Sequence, residues 1–163
     1  MGDTEGFDEF YTATVGRLLG QLFPVTGDLH EAEEVVQEAY ARASTHWTRL
    51  RDYDRPEAWV RRVAMNLAAD RGRRLQRQAR ALLRAGPPAT VPPVSVEALA
   101  LAEALRALPV HQRQAIVLHH LVDLPVEEVA ATLGTRPGTV KSWLARGRRT
   151  LAARLGEPEE VLS

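Results

Sequence analysis

Residues 86–93 read Gly-Pro-Pro-Ala-Thr-Val-Pro-Pro, with four prolines in eight positions. Proline has no amide to donate and its ring collides with the preceding turn, so no helix can pass through this stretch. It reads as a semi-extended tether. On either side of it, apolar residues recur at helical spacing, and no segment shows the sustained alternation of a strand. The expected fold is therefore all-α. Two small helical domains, residues 7–84 and 97–156, flank a proline-rich linker over residues 85–96, and the second contains a helix-turn-helix.

From Asp28 to Trp47 the apolar positions are Ala32, Val35, Val36, Ala39, Tyr40, Ala43 and Trp47. This is one buried helical stripe. Asp28 is placed to cap it, with Glu31 three residues on as in a capping box. A second helix is expected from Pro56, since proline suits a first turn. Its buried stripe is Val60, Val63, Ala64 and Leu67, and its arginine-rich continuation runs to Arg84. Beyond the tether, a helix carrying Leu101, Leu105 and Leu108 stops at Pro109, and another runs from Pro109 to about Val122.

The net charge is zero, but the charges are segregated. Residues 1–54 hold eleven acids and four arginines, and residues 55–84 hold nine arginines against Glu57 and Asp70. Residues 85–133 hold five acids and two arginines, whereas residues 134–155 hold five arginines and Lys141 with no acid. Two basic blocks alternating with two acidic ones suggest two surfaces that face polyanions. There is no cysteine, which excludes disulfides, thiolate zinc sites and a cysteine nucleophile. No apolar run nears the ~20 residues that span a bilayer. Together with the acidic start, this leads us to expect a cytoplasmic protein.

The most informative motif lies between Pro125 and Leu155. Pro125 opens a short helix whose Val126, Val129, Ala130 and Leu133 face inward. Gly134 ends it, a turn position where glycine is cheapest. The next helix begins at Thr135 or Arg136, with Pro137 in its first turn. At 100° per residue, Val140, Leu144, Gly147, Leu151 and Leu155 share one arc, while Gly138, Ser142, Ala145, Arg146 and Arg149 centre on the other. Thr139 and Lys141 flank that front. An apolar back and a donor-bearing front are what a helix lying in a DNA major groove requires. Arg146 could pair with a guanine edge and Ser142 with several bases. Arg148, Arg149 and Arg154 suit phosphates.

In the first domain, the helix after Asp28 presents Glu34, Gln37, Glu38 and Ala41 outward. The helix after Pro56 presents Trp59, Arg62, Asn66, Ala69 and Arg73, and a polar loop with Tyr53 joins them. An aromatic, an amide and arginines together suit unstacked bases and their backbone.

With these segments in view, the chain resembles the extracytoplasmic-function group of sigma-70-type sigma factors over roughly residues 7–155. Glu33-Glu34-Val35-Val36-Gln37-Glu38-Ala39-Tyr40 looks like the segment that docks on core RNA polymerase. Residues 57–71 look like the minus-ten-reading helix, and Leu105-Arg106-Ala107-Leu108-Pro109 with the helix-turn-helix looks like the minus-thirty-five-reading domain. The resemblance implies core-polymerase binding by Glu33, Glu34, Gln37 and Glu38. It implies minus-ten contacts from Tyr53, Trp59, Arg62, Asn66, Asp70 and Arg73, and minus-thirty-five contacts from Arg136, Gly138, Thr139, Lys141, Ser142, Arg146 and Arg149. Its partners would be core polymerase and promoter DNA, with an anti-sigma factor as an optional third and no membrane. The chain departs from the pattern in a short loop from Leu50 to Pro56, and in His119, where many members carry an arginine.

No cofactor, metal site or catalytic activity is expected. His30, His46, His111, His119 and His120 show no ligand spacing, and no phosphate loop, nucleophile elbow or paired-carboxylate motif occurs. The competing reading is a helix-turn-helix transcription regulator whose first domain senses a ligand or dimerises. The arginine block of residues 55–84 argues against it, because a sensor has no need of nine arginines.

Overall fold

The computed structural model describes residues 4–82 and 95–156. Most of the expected linker, residues 85–94, lies outside the described residues, as does Arg84. Among the described residues the chain is helical, with α1 Phe7–Thr26, α2 Leu29–Thr45, the single turn α3 Trp47–Leu50 and α4 Pro56–Leu82. After the tether come α5 Val96–Arg106, α6 Val110–Ile116, α7 Val126–Leu133 and α8 Pro137–Leu155. The all-α expectation holds.

Helices α1, α2 and α4 pack into one bundle, which we call the first module. Every residue of the expected α2 stripe, from Ala32 to Trp47, is buried. Asp28 caps α2 by accepting a hydrogen bond from the Glu31 amide at 3.1 Å. Only half of the capping box forms, because the Glu31 carboxylate turns to Arg71 of α4 instead. Phe7, Phe10, Tyr11, Tyr40 and Trp47 form a connected aromatic cluster at the α1–α2 seam. Thr14 Oγ1 donates to the Phe10 carbonyl at 2.7 Å, so Tyr40 Oη donates to Thr14 Oγ1 at 2.5 Å. Burial raises the Tyr40 pKa. A bidentate ion pair from Arg17 to Glu57, at 2.7 and 2.9 Å, ties the exposed side of α1 to the start of α4.

In the second module, α6 and α7 pack on α8 as a helix-turn-helix. Gly134 closes α7 at φ 67°, the left-handed geometry expected of it, and Pro137 starts α8 after the Arg136 cap. Val140, Leu144, Gly147 and Leu151 are buried, and Leu155 is partly buried. Burying a leucine such as Leu144 is worth about 1.5–3 kcal/mol relative to exposure.

One expectation is refined and one needs correction. The helix from Pro109 runs to Leu121, as expected, but changes its winding on the way. After Ile116 it widens into a π turn over Val117–Leu121, in which the Val122 amide bonds the Val117 carbonyl at 3.0 Å. Leu124 N then reaches Leu118 O at 3.0 Å, His119 Nδ1 bonds the Leu124 carbonyl at 2.8 Å, and Asp123 adopts φ 62°. These bonds satisfy the backbone of a chain reversing toward Pro125, which a regular helix end would leave open. Ala69, expected on the outward face of α4, is only 4% exposed. The stripe of α4 is broader than the sequence shows, taking in Met65, Ala68 and Ala69 as well. The reason is tertiary: α4 packs against α1 and α2 and also meets α6 and α7 of the second module.

Candidate nucleic-acid interface and acidic face

Helix α2 presents Glu33, Glu34, Gln37 and Glu38 to solvent, all four exposed, because its buried stripe fixes the opposite side. Three of them are held in place by neighbours. Gln37 Nε2 donates to Tyr11 Oη at 2.7 Å, and Arg42 reaches Glu38 at 2.9 Å. Glu34 pairs with His30 at 2.9 Å and with Arg71 of α4, which also binds Glu31 at 2.9 Å. The carboxylates hold the Arg71 guanidinium above its ordinary pKa, the hydrogen bond to Glu31 contributing most. Arg71 thus joins the acidic face to the basic helix, a role the sequence alone did not reveal.

Along α4, Arg62, Asn66, Asp70 and Arg73 lie exposed, with Trp59 partly buried at their amino-terminal end. Their spacing of three or four residues puts them on one side of the helix. Asp70 and Arg73 pair with each other at 2.6 Å, which partly neutralises the far end of this face. Trp59 lies against the His46 ring, with centroids 5.6 Å apart. His46 was not among the sequence candidates, and nothing in its local pattern marks it, since it reaches Trp59 only through the α2–α3 joint. Tyr53, 51% exposed, stands on the connecting loop. Arg61, beside these residues but on the inner side, bonds Gln21 Oε1 at 3.0 Å, and burial lowers its pKa.

On α8, Gly138, Lys141, Ser142, Arg146 and Arg149 are exposed, as is Arg136 at the cap, and Thr139 is half-buried. Among the described residues no side-chain hydrogen bond or ion pair engages Lys141, Ser142 or Arg146. Their donors point outward and are available to a base edge or a phosphate. The helix is braced from behind by Trp143, which stacks on His111 of α6 with centroids 5.0 Å apart and planes 13° apart. The structure therefore separates three faces: an acidic one on α2, a basic one with an aromatic end on α4, and a basic one on α8. Among the described residues no group of three or more metal-ligating side chains converges, and no helix is long and apolar enough to cross a membrane.

Two families match the chain: sigma-70 region 2 over residues 10–78 and sigma-70 region 4 over residues 98–151. The RNA polymerase sigma-E factor of Streptomyces coelicolor is 31% identical over 94% of this chain and 90% of its own length. Among solved structures, the sigma factor RpoE in complex with the anti-sigma factor NepR, from Bartonella quintana, shares the fold. Its TM-score is 0.74 at 22% identity, covering 92% of this chain and 96% of that one. CnrH in complex with the cytosolic domain of CnrY is similar at TM-score 0.65 and 26% identity, over 95% of this chain and 90% of that one.

Proposed function

From the premise that this chain belongs to the sigma-70 family, as a sigma factor of the extracytoplasmic-function group, we propose a division of labour among its three faces. The protein is an RNA polymerase sigma factor that directs promoter recognition and transcription initiation. In our reading, Glu33, Glu34, Gln37 and Glu38 of α2 dock on core polymerase. Tyr53, Trp59, Arg62, Asn66, Asp70 and Arg73 engage the minus-ten element, where rings stack on unpaired bases, the Asn66 amide reads an edge and the arginines hold the backbone. Arg136, Gly138, Thr139, Lys141, Ser142, Arg146 and Arg149 engage the minus-thirty-five element in the major groove. Residues 7–84 and 97–156 act as the two recognition domains, with residues 85–96 as the tether.

Promoter melting in this account comes from trapping unstacked bases, and the chain itself carries out no covalent chemistry. It acts in the cytoplasm, where polymerase and promoter meet. An anti-sigma factor is a reasonable additional partner, since CnrH, a similar protein, is found in complex with CnrY. The observation that best supports the assignment is the exposure of Lys141, Ser142 and Arg146, which no side-chain hydrogen bond or ion pair engages among the described residues, on a helix whose buried side is Val140, Leu144, Gly147 and Leu151.

The test is a paired binding measurement on the full chain. Glu34→Ala together with Gln37→Ala should weaken binding to core polymerase at least about tenfold, the effect of losing one to two kcal/mol of polar contacts. The same variant should bind duplex carrying the upstream element as the parent does. Equal loss of both activities would mean that the acidic face is only structural.

A further inference from the structure

His46 forms the joint between α2 and α3, and the bonds that orient its ring leave one nitrogen bare. Nδ1 lies 2.9 Å from the Arg42 carbonyl oxygen, which can only accept, so Nδ1 carries the proton and donates. Thr45 Oγ1, 3.1 Å away, gives its own hydrogen to the same carbonyl at 2.8 Å and therefore also accepts from Nδ1. With the proton fixed on Nδ1, Nε2 of the neutral ring is an acceptor. Among the described residues no hydrogen bond or ion pair engages Nε2, and His46 is exposed.

The joint is firmly held. Trp47, the next residue, is buried, and its Nε1 donates to the Glu5 carbonyl at 2.9 Å. Closing the end of α2 does not require an imidazole, because Thr45 already bonds the Arg42 carbonyl. Nor does the ring cap α3. It stands instead beside Trp59, with the two planes inclined at 45°. Trp59 is only partly buried and opens the row Arg62, Asn66, Asp70 and Arg73 along α4. An aromatic platform suits a stacked base, and a fixed acceptor at its side suits the edge of that base.

Resting on the minus-ten reading above, we propose that His46 is a specificity residue of that site, its Nε2 accepting a hydrogen bond from the base that stacks on Trp59. The donor is the N6 amine of adenine or the N4 amine of cytosine. Guanine and thymine carry the keto oxygens O6 and O4 at the corresponding place. Two acceptors facing each other repel, so the site favours adenine or cytosine over guanine or thymine. Asn66 lies seven residues beyond Trp59 on α4, about 10 Å at the helical rise. His46 and Asn66 therefore serve different bases of the element.

The experiment uses the full chain with core polymerase, on templates selected by transcription from a random DNA library. One position of the downstream motif should hold adenine or cytosine. His46→Phe keeps a ring against Trp59 but has no acceptor, and should weaken that preference about five- to tenfold. His46→Gln returns an acceptor to the end of the side chain and should recover part of it. The upstream motif, and the position altered by Asn66→Ala, should not move. The base at the selected position is then replaced by its analogue without the amine, purine for adenine or 2-pyrimidinone for cytosine. Open-complex formation by the native chain should fall by about the same factor, and His46→Phe should show no further fall. No fall with the native chain overturns the proposal without recourse to any variant. Equal loss on every sequence in His46→Phe makes the ring a brace or a phosphate contact and also overturns it, as does an amine deletion that weakens both chains alike. If the native chain enriches no motif at all, the sigma-factor reading itself fails, and the proposal with it.

Discussion

The acidic face of α2 and the basic face of α8 are both exposed, yet they are built in opposite ways. On α2 the functional candidates are engaged: Glu34 with Arg71 and His30, Gln37 with Tyr11, Glu38 with Arg42. On α8, Lys141, Ser142 and Arg146 project from a rigid apolar back with no side-chain hydrogen bond or ion pair among the described residues. A face that reads base edges needs its donors uncommitted and fixed in register, because a bidentate pair tolerates little misplacement. A face that docks on protein can start from internal pairs and exchange them. In the proposed reading, α2 docks through residues already paired with their neighbours, and α8 reads through residues that are not.

The largest expected effects test whether the two faces rest on equally firm cores. Leu22→Ala in the first module and Leu144→Ala in the second should each cost about 2–5 kcal/mol in denaturant unfolding, since both side chains are fully or almost fully buried. A second module that loses much less would be too loosely packed to hold α8 in register. Next in size, Arg146→Ala should lose about 1–3 kcal/mol at the cognate upstream element and little on unrelated duplex, measured by fluorescence anisotropy. Uniform loss across sequences would make Arg146 a phosphate contact and erase the contrast with Arg149. Smaller again, Tyr40→Phe removes the bond to Thr14 and should cost about 1 kcal/mol, read from the same unfolding curves.

The smallest effects are pH-dependent and fall in different windows for the two modules. Burial lowers the pKa of His120, helped by His119 and Arg148, so the unfolded chain takes up its proton first. The second module should therefore be unpenalised above the ordinary histidine value of about 6.5 and lose stability as pH falls below it. Glu57 is held below the ordinary carboxylate range chiefly by its hydrogen bond to Arg17. Its contribution to the first module should be intact above about pH 4.3 and fade only as pH falls through the lowered value. Hydrogen exchange resolved by helix checks the order of loss. Loss from the first module before the second would contradict it.

Much of this was legible from the residues, and the remainder was not for identifiable reasons. The α2 stripe, the Asp28 cap, the Gly134 turn and the two arcs of α8 follow from local rules that act within one helix or one turn, and the structure bears them out. Where a second element intervenes, local rules fall short. Ala69 looked outward by periodicity because α4 was read as having one buried side, but α4 is packed on more than one. Gln114 gave no sign of burial, since a glutamine on a short helix is ordinarily solvated and its partner is a carbonyl 49 positions away. The π turn at Val117–Leu121 left no mark either. Its two histidines continue a helical pattern, and only the bonds to Val122 and Leu124 show the change.

The central claim is that α4 and α8 read two separated elements of one promoter on behalf of polymerase. It is tested most directly by selecting transcribed templates from a random DNA library with core polymerase and the purified chain. The account predicts enrichment of two motifs at fixed spacing, with Arg146→Ala altering only the upstream motif and Asn66→Ala only the downstream one. Transcripts that enrich a single motif, or none above core polymerase alone, would contradict it.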